Sequence, residues 1–360
     1  MFSGQYNNRR VLITGHTGFK GSWLTLWLQS IGAKVTGISL PPDSAFAHWN
    51  LLSLNVESRL IDIREAAQLR KAVQEADPEI VFHLAAQPLV RRSYLAPLET
   101  WSTNVIGTAN VLDACRDLPS IKAIVVVTTD KCYENQEWVW GYRENDRLGG
   151  HDPYSASKAA SELVVSSYRS AFFQAPEGPL LATARAGNVI GGGDWSEDRL
   201  IPDLMRAAQA GKPLEIRSPT ATRPWHHVLE CLSGYLCLGQ KLLERNKDCA
   251  GGWNFGPDRE GNRQVQQVLE QLRQTMHGIE WYAGLQTQLK EARLLHLDSS
   301  KARDLLAWHP VWSFEDGVST TARWYMAWLN SKEVISVHQL NEYVNAAYSQ
   351  KLSWTIHEPK

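Results

Sequence analysis

The chain has few of the features that mark membrane, secreted or nucleic-acid-binding proteins. None of its apolar runs approaches the roughly 20 residues of a transmembrane helix. Residues 1–10 are polar and lack the apolar core of a signal peptide. The net charge of −1 supplies no excess of basic groups for nucleic acid or an anionic membrane. We therefore expect a cytoplasmic protein with neither nucleic acid nor a membrane as its partner.

Cysteine is also sparse. The five cysteines, at positions 115, 132, 231, 237 and 249, are odd in number and have no Cys-x-x-Cys spacing. Free thiols in a reducing compartment are therefore expected, rather than a disulfide framework or a zinc site. The adjacent His226 and His227 do not indicate a metal either, because neighbouring side chains in a strand or helix point apart. We expect no bound metal.

Short β-branched segments alternate with helical segments through the first half of the chain. The predicted strands are 10–14, 34–38, 80–84, 121–127 and 180–184, and the predicted helices are 19–31, 65–76, 97–117 and 154–173. Continuous apolar strands that alternate with helices predict a parallel sheet covered on both faces. The expected fold is therefore α/β, with a Rossmann-type doubly wound parallel sheet.

After Ala186 the pattern loosens, with prolines, a run of glycines and separate helices at 200–210, 265–276 and 314–329. This half is expected to form a smaller α/β lobe that binds substrate. We place the Rossmann domain at 1–186, with 225–256 returning to it. The second lobe takes 187–224 and 257–330, and 331–360 is a C-terminal extension.

A glycine-rich turn follows the first predicted strand and opens the first predicted helix. It runs Gly15-His16-Thr17-Gly18-Phe19-Lys20-Gly21. Glycines at such a turn allow close backbone approach to a dinucleotide, whose pyrophosphate faces the helix N-terminus. The spacing excludes a P-loop, since no Gly-Lys-Ser/Thr follows the required four-residue gap.

The end of the second strand discriminates between NAD and NADP. Asp43 is the one acidic candidate there for the ribose hydroxyl, and no arginine lies nearby, so NAD is favoured. Asp62 and Ile63, which lie before the predicted helix 65–76, are candidates for contact with adenine. A helix-capping role for Asp62 is an equally good interpretation.

The catalytic candidates lie directly after the predicted strand 121–127 and in the predicted helix 154–173. Tyr154 and Lys158 are four residues apart, so they share one face of that helix. An ammonium beside the phenol should make Tyr154 a base near neutral pH, and Thr129 can bond the same substrate hydroxyl. These three suffice to oxidise an alcohol. Asp130 and Lys131 form an additional acid/base pair, which indicates a second chemical step.

These segments together resemble the extended short-chain dehydrogenase/reductase family over nearly the whole chain. The matching motifs are Gly15-x-x-Gly18-x-x-Gly21, His83-Leu84-Ala85-Ala86-Gln87, Tyr154-x-x-x-Lys158 and Arg185-Ala186-Gly187-Asn188-Val189. Within that family, nucleotide-sugar 4,6-dehydratases carry an acid/base pair directly after the threonine. The pair Asp130-Lys131, with Cys132-Tyr133 and Trp138 to Glu144, resembles the members that act on CDP-glucose; those that act on dTDP-glucose carry Asp-Glu.

The resemblance implies a recycled NAD and a net loss of water. Tyr154, with Lys158 and Thr129, would remove the C4 hydroxyl proton while hydride leaves C4. Lys131 would then take the C5 proton, and Asp130 would protonate the departing C6 hydroxyl. The product would be a 4-keto-6-deoxy sugar nucleotide for lipopolysaccharide O-antigen synthesis.

The resemblance also implies a set of binding residues and an assembly. For the cofactor these are Gly15, His16, Thr17, Gly18, Phe19, Lys20, Asp43, Asp62, Ile63, Leu84, Ala85, Ala86, Asn104, Thr128, Tyr154 and Lys158. For the substrate they are Gln87, Asn188, Arg199, Leu200, Arg223 and Arg293. The bulk of His16 and Lys20 is expected to loosen NAD binding. A homodimer or dimer of dimers through helices 97–117 and 154–173 is expected.

Three alternatives stay open. A nucleotide-sugar 4-epimerase would share the fold, Tyr154 and Lys158, but would not use Asp130 and Lys131. A 4,6-dehydratase of GDP-mannose or dTDP-glucose would be expected to carry glutamate at position 131. A non-catalytic dinucleotide-sensing protein would usually have lost part of the Thr129, Tyr154 and Lys158 set.

Overall fold

The computed structural model describes residues 1–284 and 294–356. The strands are β1 (Arg10–Thr14), β2 (Lys34–Ser39), β3 (Glu57–Leu60), β4 (Ile80–His83), β5 (Ala123–Val127), β6 (Leu180–Ala186), β7 (Asn188–Ile190), β8 (Leu214–Ile216), β9 (Thr222–His227), β10 (Gly252–Phe255), β11 (Asn262–Gln264) and β12 (Trp281–Ala283). The helices are α1 (Phe19–Ser30), α2 (His48–Leu52), α3 (Ala66–Ala76), α4 (Val90–Leu95), α5 (Pro97–Trp101), α6 (Gly107–Cys115), α7 (Pro153–Ala171), α8 (Leu200–Gln209), α9 (Val228–Leu243), α10 (Val265–Thr275), α11 (Ser300–Leu306), α12 (Phe314–Ser331) and α13 (Ser336–Ser349).

A seven-stranded parallel sheet organises the first lobe, in the order β10-β6-β5-β4-β1-β2-β3. Alternate strand residues enter different cores, because side chains alternate across a sheet. Val11 and Val125 join the core with α1 and α9, whereas Leu12 and Ile124 join the core with α3, α6 and α7. Helices therefore cover both faces. This confirms the doubly wound Rossmann-type fold.

The chain order reverses between β1 and β4, which are neighbours in the sheet. In the register of this pair, Thr14 lies opposite His83. The carboxyl ends of β1 and β4 therefore meet at the point where doubly wound sheets bind ligands. On its other side β4 pairs with β5, whose end leads to Thr129 and Asp130.

The second lobe contains a three-stranded sheet, β11-β9-β7, and a two-stranded sheet, β12-β8. Helices α10 and α12 pack together, and α12 also packs on β9. Helix α9 then returns the chain to the large sheet, where it packs on β5 and β6 before β10 joins the sheet beside β6. In residues 1–284 and 294–356, no helix is both long and apolar enough to span a bilayer.

Most of the predicted elements agree with the structure within a few residues, but β3 and β10 of the seven-stranded sheet and the short strands of the second lobe were not predicted. Strand β3 is largely exposed, so it lacks the apolar run that identifies a buried strand. Strand β10 is a short edge strand that carries the polar Asn254. The predicted helix 97–117 is continuous from α5 to α6, although a π-helical turn, Ser102–Ile106, interrupts its regular hydrogen bonding.

In the described part of the chain, five histidines are buried in their neutral form. Burial lowers the pKa of His16 to about 4 and that of the other four to about 3. The other four are His48, His83, His226 and His227. Glu230 shifts in the opposite sense, since burial raises its pKa to about 7. Its carboxylate accepts hydrogen bonds from the backbone of Val311 and Trp312.

We predict that the protein loses stability steeply on mild acidification. As pH falls below about 6.5, the five histidines gain protons in the unfolded chain but not in the folded chain, so unfolding is favoured. Each proton that only the unfolded chain gains lowers the free energy of unfolding by roughly 1.4 kcal/mol per pH unit. Glu230 offsets one of these protons, because its raised pKa lets the folded chain gain that proton first. Thermal unfolding followed by circular dichroism between about pH 7.5 and about pH 5 should show the Tm fall.

Replacing the exposed His338 with glutamine should leave this pH dependence unchanged, because that side chain is mostly in solvent. A Tm that stays constant across the range would contradict the prediction.

Candidate active site

One large cavity of about 1630 Å³ opens at the carboxyl end of the parallel sheet, between the two lobes. Its lining comes from the glycine turn, from the loops after β2, β3, β4 and β5, from α7, and from the second-lobe segment that begins at Ala186. The structure thus brings residues between positions 15 and 332 of the sequence to one site. The cavity is large enough for a dinucleotide and a second nucleotide ligand together.

The glycine turn depends on backbone atoms that approach too closely for any side chain. Gly15 has a φ of +79°, and a Cβ atom there would lie 2.7 Å from the nitrogen of Ala85. A Cβ on Gly21 would lie 2.0 Å from the carbonyl oxygen of Gly15. Gly18 is the N-cap of α1. The N-terminus of α1 therefore faces the cavity across bare backbone, which suits a pyrophosphate.

The side chains of His16 and Lys20 take different directions. His16 is buried away from the cavity, where its Nε2 lies 2.7 Å from Ser58 Oγ and its ring packs edge-on against Trp49. Gly37 makes room for it, since a Cβ there would lie 2.3 Å from His16 Cγ. The expected steric effect of His16 on the cofactor therefore has no support in this placement. Lys20, by contrast, lines the cavity.

The predicted acidic residues Asp43 and Asp62 both lie in the cavity wall, after β2 and β3. Asp43 lies past the end of β2 and lines the cavity. Asp62 also lines it, but its carboxylate is held by Arg64, whose Nη2 lies 2.6 Å from Asp62 Oδ2. This pairing lowers the pKa of Asp62. Asp62 does not cap α3, whose N-cap is Glu65. Ile63 packs against Gly107 and closes this end.

The loop after β4 forms the next part of the wall. Leu84, Ala85, Ala86 and Gln87 line the cavity. Asn104, however, is buried behind this loop in the π-helical turn. Its Oδ1 accepts a hydrogen bond from the Gln87 backbone nitrogen (2.8 Å), and its Nδ2 donates to Ser157 Oγ (2.9 Å). Asn104 therefore supports the loop instead of lining the cavity.

Thr129, Tyr154 and Lys158 come together at the end of β5, and all three are buried. Burial raises the pKa of Tyr154 to about 12, and a hydrogen bond with the Thr129 hydroxyl offsets part of the rise. Burial and the nearby charge of Lys20 lower the pKa of Lys158 to about 8. Lys158 Nζ donates to the carbonyl of Val127 (3.3 Å). The sequence predicted that an ammonium would lower the pKa of Tyr154. In the protein without ligands, burial has the larger effect and raises that pKa.

Asp130 and Lys131 begin a short 3₁₀ turn, Asp130–Cys132, directly after Thr129. Thr129 Oγ1 donates to Asp130 Oδ1 (2.9 Å). Asp130 Oδ2 is buried, and among the described residues it has no hydrogen-bond partner. Lys131 is partly exposed and lines the cavity beside it. One carboxyl oxygen and one amine are therefore available for a bound ligand.

The second lobe contributes Asn188, Arg199, Leu200 and Arg223, all of which line the cavity. Arg199 is the N-cap of α8, and its Nη1 lies 3.2 Å from Asp194 Oδ2. Arg223 is buried on β9. These cationic groups oppose the glycine turn and suit a ligand diphosphate. Arg293, the remaining predicted phosphate contact, lies outside the described residues.

Two groups near the catalytic residues were not predicted. Asp194 orients Arg199, and Glu162 forms a buried ion pair with Arg185, 2.8 Å between Oε2 and Nη2. Glu162 lies four residues after Lys158, so helical spacing could have identified it as a neighbour of the site. Asp194 follows three glycines, where the sequence carries no periodic signal.

Comparison with known proteins agrees with this geometry. The chain matches the model of a family described as GDP-mannose 4,6 dehydratase over residues 12–321. A CDP-glucose 4,6-dehydratase from Salmonella typhimurium is 45% identical over 351 residues, which cover 95% of this chain and 98% of that protein.

Two solved structures share the fold. An epimerase from Methanothermobacter thermautotrophicus has a TM-score of 0.81 at 24% identity, over 91% of this chain and 95% of its own. A dTDP-glucose 4,6-dehydratase from Streptomyces venezuelae, solved with NAD bound, has a TM-score of 0.75 at 23% identity, over 88% and 96% of the two chains.

We predict that Gly21→Ala abolishes dinucleotide binding and lowers the Tm, because its Cβ would overlap the Gly15 carbonyl and displace the turn. Calorimetric titration with NAD and thermal unfolding would measure the two effects. Gly251→Ala is the matched control, since a Cβ there would meet only Lys301 Nζ, at 3.7 Å. Unchanged NAD binding by the Gly21 variant would refute this description of the turn.

Proposed function

Because the chain belongs to the GDP-mannose 4,6 dehydratase family, we propose that it converts CDP-glucose to CDP-4-keto-6-deoxyglucose and water, with NAD as a recycled cofactor. The observation that carries the proposal is the Asp130-Lys131 pair beside Thr129, Tyr154 and Lys158 in one cavity. The 45% identity to a CDP-glucose 4,6-dehydratase supports CDP-glucose as the substrate. Entry of the product into O-antigen synthesis stays a prediction.

The cavity fits NAD because the glycine turn offers bare backbone at the start of α1, and Asp43 lies where the adenosine ribose would bind. Gly15, Thr17, Gly18, Leu84 and Thr128 would hold it. When bound, NAD supplies a reversible hydride acceptor for the sugar.

The first step is removal of the proton from the C4 hydroxyl. Tyr154 takes this proton on its phenolic oxygen, and Thr129 holds the hydroxyl by a hydrogen bond. Because burial raises the pKa of Tyr154 to about 12, the phenolate requires nearby positive charge. Lys158, one helical turn away, supplies it.

The second step is loss of water across C5 and C6. A ketone at C4 acidifies the C5 proton, which Lys131 removes on its Nζ. Asp130 gives a proton from Oδ2 to the C6 hydroxyl as the C6–oxygen bond breaks. Within residues 1–284 and 294–356 that carboxyl oxygen has no hydrogen-bond partner, which supports this role. Reduction at C6 and return of a proton to C5 complete the sequence, so that the net change is one water lost.

Incubation of the protein and NAD with CDP-, dTDP-, GDP- and UDP-glucose tests the proposed substrate. We expect a 4-keto product from CDP-glucose, and little from the others. If the protein converted only dTDP-, GDP- or UDP-glucose, that sugar nucleotide would be its substrate in place of CDP-glucose. Interconversion of glucose and galactose, without loss of water, would indicate an epimerase.

Substitutions should separate the two steps. Lys131→Ala should still oxidise C4, so that the absorbance of reduced nicotinamide appears, while exchange of the C5 hydrogen with deuterated solvent falls by roughly 10²–10⁴-fold. Asp130→Asn should keep C5 exchange but slow loss of the C6 hydroxyl. Tyr154→Phe should prevent oxidation. Near-normal C5 exchange in Lys131→Ala would exclude Lys131 as the base.

We also propose a homodimer through the outer face of α5, α6 and α7. These helices pack together, yet large apolar side chains on this side face solvent. Leu98 is 82% exposed, Leu163 is 62% exposed and Ile106 is 55% exposed. A contiguous apolar surface of this kind marks a protein interface, and a two-fold arrangement is the default for identical chains.

Glutamate at both Leu98 and Leu163 should convert the dimer to a monomer, because four charges would be buried at the interface of a symmetric pair. Sedimentation velocity at micromolar concentration would measure the change. Leu305→Glu is the control, since this leucine is 61% exposed on α11, outside the proposed interface. A monomeric unsubstituted protein would contradict the proposal.

For the domains we propose that 1–186 and 228–256 form the Rossmann lobe, and that 187–227 and 257–330 form the substrate lobe, followed by the extension. The predicted return at 225 would divide β9, which continues to His227. A cytoplasmic location is also proposed. It is supported by the five cysteines, all of which are buried and free.

A further inference from the structure

A buried polar network lies directly behind the catalytic segment. Glu162 on α7 accepts hydrogen bonds from Thr183 Oγ1 (2.8 Å) and from Arg185 Nε and Nη2 (2.9 and 2.8 Å). The hydroxyl of Thr128 donates to the same carboxylate. Glu162 and Arg185 are 5% and 4% exposed. The ion pair therefore lies in the protein interior, where desolvation makes it costly unless every bond is made.

Arg185 extends the network away from α7 to the segment after the catalytic pair. Its Nη1 donates to Tyr133 Oη (2.7 Å) and to the Glu144 carbonyl (3.1 Å). Tyr133 Oη donates in turn to Asn254 Oδ1 (2.7 Å), on strand β10. Asn254 Nδ2 donates to the carbonyls of Tyr142 (2.8 Å) and Asp298 (3.1 Å). Tyr133 is thus fixed from two sides.

Tyr133 is two residues beyond Lys131, so the bonds that fix Tyr133 also restrain the backbone that carries Lys131. Within residues 1–284 and 294–356, the Lys131 ammonium has no hydrogen bond or ion pair. Its position therefore depends on the backbone that carries it. That backbone forms a single 3₁₀ turn, Asp130–Cys132. Its upstream end is held by β5. Its downstream end is held by the antiparallel bridge of Tyr133 with Leu148, in which Gly149 N donates to the Cys132 carbonyl (2.9 Å), and by the Tyr133 hydroxyl and ring.

We propose that Tyr133, held between Arg185 and Asn254, is a positioning residue for Lys131 that serves dehydration and not the oxidation at C4. The proposal rests on the proposed function. Thr129, Tyr154 and Lys158 are placed by β5 and α7, and they are linked to the Tyr133 hydroxyl only indirectly, through Arg185, Glu162 and Thr128. Loss of that hydroxyl should therefore misplace Lys131 relative to C5 and leave the oxidation geometry unchanged.

The test is Tyr133→Phe, assayed with NAD and CDP-glucose. The rate at which reduced nicotinamide first appears should remain within about twofold of the unsubstituted protein. Exchange of the C5 hydrogen and formation of 4-keto-6-deoxy product should fall by roughly 10- to 100-fold, the loss that a displacement of about 1 Å causes. The KM for CDP-glucose should be unchanged.

Tyr6→Phe is the matched control for the loss of a buried phenolic bond. Tyr6 Oη donates to the Leu236 carbonyl (2.7 Å), and its burial equals that of Tyr133. Both variants should fall in Tm, Tyr133→Phe by more because its hydroxyl has two buried partners, but Tyr6→Phe should keep normal C5 exchange. If Tyr133→Phe slowed oxidation and exchange equally, or slowed neither, the positioning role would be overturned.

A double substitution tests whether Tyr133 acts through Lys131. In a Lys131→Ala background, Tyr133→Phe should produce no further loss of C5 exchange. An additional loss of tenfold or more would show that Tyr133 acts by another route. Failure of the unsubstituted protein to convert any sugar nucleotide would instead reject the proposed function, and it is distinguishable from these outcomes.

Discussion

The close approach of Gly15 to the backbone of Ala85 is the constraint on which the site depends. It joins the turn after β1 to the loop after β4 with no side chain between them. The parallel register places the two strand ends at the same level. The glycine turn, the loop to Gln87 and the end of β5 can then share one wall. A larger residue at Gly15 would separate the parts that bind a dinucleotide from the parts that react with a sugar.

Local patterns in the sequence sufficed for the parts of the site that fold within one strand–turn–helix unit. The glycine turn, the residues after β4 and the pair Tyr154 and Lys158 all lie where their spacing predicted. The direction of His16 could not be predicted, because it depends on the absence of a Cβ at Gly37 on the neighbouring strand. The support that Asn104 gives to the loop after β4 could not be predicted either, since a π-helical turn has no sequence period of its own.

The pKa shifts of Tyr154 and Lys158 could not be predicted from their spacing alone. The sequence predicts an ammonium that acidifies Tyr154. The fold buries the phenol and the ammonium together and adds Lys20 nearby, so that burial lowers the pKa of Lys158 and raises that of Tyr154. The two cations have carboxylates nearby, Glu162 for Lys158 and both Asp130 and Asp194 for Lys20, yet burial still lowers the pKa of each lysine. An anionic ligand in the cavity would favour the charged form of both lysines.

The π-helical turn between α5 and α6 has a geometric consequence. Thr100, Asn104 and Thr108 are four residues apart, and in a regular helix each such step would advance the side chain by about 40° around the axis. The wider π-helical turn between Thr100 and Thr108 changes this advance. All three side chains contact β4 or the loop after it: Thr100 accepts from Gln87 Nε2, Asn104 binds the Gln87 backbone and Thr108 lies 3.0 Å from His83 Nε2. One interrupted helix thereby supports the end of β4 and its loop at three successive levels.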